Sequence, residues 1–174
     1  MNPEAGNGAK VTLSNSTNET DDVSIGIDVS KFQGTINWSQ VAASGVDFAM
    51  IRVGFRAQKT GVIYADTNAR YNMQQAAANG IKVGAYFFSS AVNEAEAEEE
   101  ADWVAEYIAD YDITYPVAFD CEGFDSSDSR QRSMTKAERT SVASAFLQEI
   151  YNKGYTPMFY AAAGELISHS KRDT

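Results

Sequence analysis

The chain has 174 residues, of which 44% are hydrophobic and 22% charged, and this composition is typical of a single globular domain with a sizeable core. Its net charge of −10 gives no electrostatic footprint for nucleic acid and would repel anionic membranes. No apolar run approaches the length of a membrane span. The single cysteine excludes an internal disulfide, and because His169 has no partner pattern, Ser–His and Cys–His mechanisms are not expected.

Residues 1–22 are rich in Asn, Ser, Thr, Gly and acidic residues and are predicted to be a disordered leader or linker. This stretch lacks the basic start and apolar run of a signal peptide, so no targeting segment is predicted in the chain. The folded domain is predicted to occupy residues 23–174.

The rest of the chain alternates between strand and helix patterns. Strands are predicted at 23–30, 46–53, 81–88, 115–122 and 156–161, helices at 38–44, 67–79, 93–111 and 135–154, and a loop at 54–66. Five strands alternating with four helices predict an α/β fold with parallel strands, in either a barrel or a doubly wound sheet. No Gly-rich phosphate loop follows the first strand, which favours the barrel.

The segment Tyr115–Gly123 is predicted to be a short apolar strand that ends in two carboxylates. Because strand side chains alternate, Asp120 and Glu122 should point to one side and Phe119 and Cys121 to the other. The two acids would have Cα atoms roughly 6.5–7 Å apart. Like charges at that distance separate in pKa, so the pair can supply one ionised and one protonated carboxyl group. Taken alone, the short pattern is also typical of a strand end whose acids cap a turn or meet solvent.

In a barrel, the active face lies at the carboxyl ends of the strands. Six polar side chains are predicted at or near such ends: Asp28, Arg52, Tyr86, Asp120, Glu122 and Tyr160. A structural role is open for some of them, because Arg52 can pair with an acid and a tyrosine can be a core residue with a hydrated hydroxyl. Three carboxylates are costly to bury unless a function or a metal offsets the cost. Acids with aromatic neighbours and no histidine indicate glycoside hydrolysis.

Several motifs together resemble the glycoside hydrolase family 25 lysozymes, in the family's order and spacing from about Ile25 to Tyr160. They are Gly26–Gly34 (GIDVSKFQG), Ile36–Trp38 (INW), Phe48–Arg52 (FAMIR), Val83–Phe87 (VGAYF) and Asp120–Glu122 (DCE). The resemblance implies a (β/α) barrel of the modified TIM type. It also implies an N-acetylmuramidase, which hydrolyses the β-1,4 bond between N-acetylmuramic acid and N-acetylglucosamine in peptidoglycan with retention of configuration.

The resemblance further implies the roles of the site residues. Glu122 is expected to be the general acid/base, with Asp120 and Asp28 as supporting carboxylates. Tyr86 and Tyr160 are expected to line the substrate groove, and Arg52 is predicted to bind substrate beside them. No metal or cofactor is expected. Two mechanisms stay open, attack by the substrate's acetamido oxygen or direct attack by an aspartate, and the position of the two acids on one strand favours the first.

The family continues into further strands and helices after the fifth strand, and the sequence after Ala161 does not resemble them. We therefore expect a barrel that is short at its C-terminal end, in a monomer that can self-associate if the barrel is open. The expected location is extracellular or at the cell wall. Two other functions stay open: a glycan-binding module that kept the groove but lost turnover, and a hydrolase in which Asp28, Asp120 and Glu122 hold Mg²⁺ or Mn²⁺.

Overall fold

The computed structural model of the chain describes residues 23–124 and 126–162. The predicted leader at 1–22, the lone His169 and the segment after residue 162 lie outside the described residues.

Strands and helices alternate along the described chain. The strands are β1 (Gly26–Val29), β2 (Phe48–Arg56), β3 (Ile63–Ala65), β4 (Lys82–Phe88), β5 (Val117–Asp120) and β6 (Pro157–Tyr160); the helices are α1 (Trp38–Ala43), α2 (Ala69–Ala78), α3 (Glu94–Ile108) and α4 (Lys136–Asn152), with a 3-10 helix at Lys31–Gln33. The four predicted helices and the five predicted parallel strands are confirmed. None of the helices in these residues has the length and apolarity needed to cross a membrane.

One part of the secondary-structure prediction is wrong. Residues 54–66 were expected to form a loop, whereas β2 continues to Arg56 and Ile63–Ala65 pairs with its end in an antiparallel arrangement. The short β3 has two exposed residues and one half-buried residue, so it lacks the apolar alternation by which a strand is recognised. Its pairing with the end of β2 therefore comes from tertiary structure and not from local sequence preference.

The parallel strands follow one another across the sheet in the order β1-β2-β4-β5-β6. Each strand lies beside the next parallel strand of the sequence, so the crossovers all step in the same direction, as in a barrel. A doubly wound sheet would reverse the strand order at a switch point. Within the described residues, β1 and β6 are the two edges of the sheet.

Large apolar side chains on the helical side of the sheet form the core. Phe87 of β4 packs against Trp103 of α3 with ring centroids 5.7 Å apart, and Phe119 of β5 packs against Phe146 of α4 at 5.0 Å. Burying a phenylalanine side chain stabilises the fold by roughly 1.5–3 kcal/mol. Gly54 allows α3 to approach β2, because a Cβ atom at this position would lie 2.7 Å from the Trp103 ring. The opposite face of the sheet carries both polar side chains and apolar ones such as Met50 and Met158.

Side-chain caps fix the starts of the two long helices. The Asn93 side chain accepts a hydrogen bond of 2.9 Å from the Glu96 backbone N–H at the start of α3. Thr135 and Glu138 form the capping box that the sequence predicts at the start of α4. The α3 cap lies a few residues after the end of β4, whereas a longer segment separates the end of β5 from the α4 cap.

Candidate active site

All six predicted site residues line one cleft of about 440 Å³ on the face of the sheet opposite the helical core: Asp28, Arg52, Tyr86, Asp120, Glu122 and Tyr160. A cleft of this size is in the usual range of ligand sites. The structure thus brings together residues from five strands that are far apart in sequence. The roles assigned to them remain predictions.

The register of the parallel strands explains this convergence. Arg52 of β2 lies beside Tyr86 of β4, and Asp120 of β5 lies beside Tyr160 of β6. Neighbouring strands are about 4.8 Å apart, so each pair shares one face at short range. Asp28 enters from the edge strand β1, where it is in register with Met50 of β2.

The end of β5 shows the alternation that the sequence predicts. Asp120, the last residue of the strand, and Glu122 both line the cleft with the tyrosines. Cys121 is buried on the other side, where it lines a separate, largely apolar cleft of about 320 Å³ together with Phe124. Gly123 has a φ of 78°, a left-handed conformation that lets the chain turn directly after Glu122.

Tyr86 interacts electrostatically with three charged side chains of the cleft, Arg52, Asp28 and Asp120. The pKa of its phenol is raised to about 12, mainly by burial; the Asp28 and Asp120 carboxylates add to this rise, while Arg52 opposes it. Tyr160 is more exposed, and the Glu122 carboxylate is the main cause of its raised pKa. Because both phenols keep their protons at neutral pH, both can donate hydrogen bonds to carboxylate or substrate oxygens.

Arg52 lines the cleft but is engaged by Asp66, a residue that the sequence analysis did not assign. The Arg52 Nε atom donates to Asp66 Oδ2 at 2.9 Å, and its Nη2 atom lies 2.7 Å from the same oxygen. Asp66 is buried and also accepts hydrogen bonds of 3.0 Å from the backbone N–H groups of Lys31 and Asn68. The structure therefore shows the ion pair that was the structural alternative for Arg52, while substrate binding by Arg52 remains a prediction.

The turn after β1 contributes further cleft residues that sequence reasoning did not single out. Ser30, Phe32 and Gln33 line the cleft. The Ser30 backbone N–H donates to the Gln33 side-chain oxygen at 2.7 Å, and the Phe32 N–H donates to Ser30 Oγ at 3.3 Å. This capping box was visible in the sequence as Ser-x-x-Gln and is the signal that identifies the 3-10 helix.

Metal ligation by the three carboxylates finds no support in the described part of the chain. Across residues 23–124 and 126–162, no group of three or more His, Cys, Asp or Glu side chains is arranged so that it can hold a metal ion.

Comparisons with known proteins agree on one family. The family described as glycosyl hydrolases family 25 matches residues 27–170. The chain is 42% identical over 64 residues to Lysozyme M1 of Streptomyces globisporus, a match that covers 37% of this chain and 20% of that protein.

Solved structures give the same result for the fold. The modular autolysin LytC from Streptococcus pneumoniae is similar with a TM-score of 0.71 and 23% identity, over 81% of this chain and 33% of that chain. A family 25 glycosyl hydrolase from Bacillus anthracis has a TM-score of 0.68 and 21% identity, over 89% and 68% of the two chains. The bacterial lysozyme from Streptomyces coelicolor has a TM-score of 0.59 and 26% identity, over 81% and 64%. This chain thus spans a fifth of Lysozyme M1 and a third of the autolysin. Because the family match extends over most of the sequence and the fold agrees with it, the chain belongs to glycosyl hydrolases family 25.

Proposed function

We propose that this chain carries the catalytic cleft of a peptidoglycan lysozyme that hydrolyses the β-1,4 bond between N-acetylmuramic acid and N-acetylglucosamine. The observation that carries the proposal is the convergence of Asp28, Asp120 and Glu122 with two tyrosines in one cleft. Family membership supports it, and so do the names of the relatives, among them a lysozyme and an autolysin solved with a synthetic peptidoglycan ligand. The substrate is a cell-wall polymer, so we place the activity outside the cell or at the wall.

In the proposed mechanism, the two acids at the end of β5 divide the chemistry. The acetamido oxygen of the substrate attacks the anomeric carbon while Glu122 gives its proton to the departing glycosidic oxygen. Asp120 orients the acetamido group and stabilises the positive charge that develops on it. Glu122 then takes a proton from water as the water attacks the same carbon, which restores the acid and retains the configuration.

The charges in the cleft favour this type of transition state. Asp28 and Asp120 supply negative charge in the cleft while Glu122 carries the proton that it donates, and the charge of Arg52 is offset by the buried Asp66. The remaining negative potential stabilises an oxocarbenium-like or oxazolinium-like cation, whereas an anionic transition state would be disfavoured. Asp28, on the edge strand, is proposed to add to this potential and to orient Tyr86.

Replacement of Glu122 by Gln tests the proposal. We expect Glu122→Gln to reduce the release of N-acetylmuramic acid reducing ends from purified peptidoglycan by about 100-fold or more, because removal of a general acid/base typically costs this much. Glu98→Gln is the matched control, since Glu98 is an exposed residue of α3. Thermal unfolding of each variant checks that the fold is kept.

Each outcome of that digestion has a defined meaning. Cleavage by Glu122→Gln at the wild-type rate would refute the assignment of the acid. Reducing ends in N-acetylglucosamine would show that a different bond is cut. Binding of peptidoglycan by the wild-type protein without any cleavage would identify a glycan-binding module, and activity that is lost with a chelator would favour the metal-dependent alternative.

A further inference from the structure

An exposed aromatic ring lies at the rim of the carboxylate cleft. Phe32 lines the cleft together with Asp28 and Glu122, yet 76% of its surface is exposed. Single exposed apolar residues are common on protein surfaces and need no explanation by themselves. At Phe32, two further observations concern what packs against the ring and what holds its turn.

The first observation is that two cations pack against the ring. The guanidinium carbon of Arg52 lies 4.9 Å from the Phe32 ring centroid, and Lys31 Nζ lies 5.5 Å from it. The same two cations lie 5.5 Å and 5.3 Å from the ring of Phe55, which stacks on Tyr64 with centroids 5.6 Å apart. These contacts form a row that runs from Tyr64 on β3 through Phe55 and the two cations to Phe32, which is the exposed ring beside the acids of the cleft.

The second observation is that the turn carrying Phe32 is tied down on both sides. Its backbone is fixed by the Ser30–Gln33 capping box, and the preceding Lys31 N–H donates to the buried Asp66 carboxylate at 3.0 Å. Asp66 also fixes Arg52, so one buried carboxylate holds both the turn and the cation behind the ring. A ring that is held in place loses little conformational entropy when a ligand stacks on it.

We propose that Phe32 is a stacking platform for a pyranose ring of the glycan strand, in a binding subsite next to the carboxylates. The ligand class is a β-1,4-linked chain of N-acetylated hexosamines, whose sugar rings have an apolar C–H face that suits an aromatic surface. Phe32 has no hydrogen-bonding group, so it recognises the face of the sugar and leaves recognition of the substituents to the polar side chains of the cleft. The inference rests on the proposed function, because the cleft acids define where the strand runs.

Binding measurements in a Glu122→Gln background test the platform without consuming the substrate. The probes are purified peptidoglycan, measured by co-sedimentation, and a soluble β-1,4-linked N-acetylglucosamine tetramer, measured by calorimetry. We expect Phe32→Ala to weaken binding of both probes about fivefold to tenfold, in keeping with the loss of one aromatic stacking contact. Phe32→Trp should restore wild-type binding or exceed it. Tyr151→Ala is the matched control, because Tyr151 is an aromatic residue with 66% exposure in the last turn of α4.

The outcomes separate the platform from the catalytic proposal. Unchanged binding by Phe32→Ala, or an equal loss in Tyr151→Ala, would overturn the platform, and so would a failure of the parent protein to bind either probe. Release of N-acetylmuramic acid ends by the wild-type chain, together with unchanged binding by Phe32→Ala, would leave the lysozyme in place and remove only the platform. Binding that depends on Phe32, without any bond cleavage by the wild-type chain, would keep the platform and overturn hydrolysis.

Discussion

The Asp66 carboxylate joins three segments that meet at the cleft, and replacing it should destabilise all of them. Its Oδ2 atom accepts from Arg52 Nε at 2.9 Å and from the Lys31 N–H at 3.0 Å, and its Oδ1 atom accepts from the Asn68 N–H at 3.0 Å. The Asp66 side chain has no exposed surface, and only 11% of the Arg52 side chain is exposed. Asp66→Ala would leave a nearly buried guanidinium and two backbone donors without their acceptor.

The expected cost follows from this burial. Removing one partner of a buried ion pair costs roughly 3–5 kcal/mol, and we expect about 3 kcal/mol for Asp66→Ala because Arg52 keeps some contact with water. Arg52→Met should cost less, about 2 kcal/mol, since Asp66 retains its two backbone donors. The double variant contains neither charge and should cost about 3 kcal/mol, which is about 2 kcal/mol less than the sum of the two single changes.

Urea unfolding of the four proteins, followed by tryptophan fluorescence, measures this coupling from the midpoints at a constant m-value. The Lys153–Asp102 pair, with a distance of 2.6 Å and side chains exposed by 40% and 56%, is the control cycle and should show almost no coupling. A double variant of Asp66 and Arg52 that costs the full sum would refute the buried ion pair as the source of stability.

Two further predictions concern pH and the turn after the acids. Burial raises the pKa of Glu100 from 4.5 to about 7, although Arg56 Nε lies 2.7 Å from its Oε1 atom. The folded state then holds this proton more tightly than the unfolded chain does. The free energy of unfolding should therefore fall by about 3 kcal/mol as the pH rises from 4.5 to about 7. Urea unfolding at a series of pH values measures this fall, and Glu100→Gln should not show it. Gly123 and Gly154 have φ values of 78° and 90°, so replacing either by Ala should lower the free energy of unfolding by about 1–2 kcal/mol. Only Gly123→Ala should also slow peptidoglycan digestion, because Gly123 is next to Glu122.

Clear results would contradict either prediction. A Glu100→Gln variant with the same pH slope as the wild-type protein would show that another group binds the proton. Equal digestion rates for the two glycine variants would show that the turn at Gly123 does not position Glu122.

Much of the fold follows from local sequence. The buried strands are apolar runs, and the starts of α3 and α4 are marked by Asn93 and Thr135, so their order predicts the parallel sheet. β3 was not predictable in this way, because its three residues gain their stability only by pairing with the end of β2. The strand–helix alternation is a local property, whereas the pairing of β3 depends on where β2 is placed in the sheet.

The cleft was predictable as far as strand alternation determines it. Asp120 and Glu122 are two residues apart at a strand end, so alternation predicts that they lie on one side, and both line the cleft. The connection between Arg52 and Asp66 spans 14 residues and crosses β3, so it depends on the path of the loop and not on a local pattern. The exposure of Phe32 likewise depends on how its turn is tied to Asp66, which the motif around it does not reveal.

A single irregularity in β2 places the two arginines of this strand on opposite faces of the sheet. The pairing with β4 shifts between Arg52 and Gly54, so that Arg52 lies beside Tyr86 and Gly54 beside Phe87. Strict alternation would place residues 52, 54 and 56 on the same face. The bulge reverses the alternation, and the burial pattern of β2 changes at the same residue.

The two sides of the strand differ as a result. Phe55 comes to the cleft side, where Arg52 packs against its ring, and Arg56 turns to the helical side, where it pairs with the buried Glu100. If the existing residues of β2 alternated strictly, Arg56 would lie on the same face as Arg52 and would bring a second cation to the cleft side, opposing the negative potential that we propose to stabilise a cationic transition state. The glycine inside the apolar run is the sequence signal for this bulge, since Gly54 in a strand interior marks either a bulge or a close approach, and here it marks both.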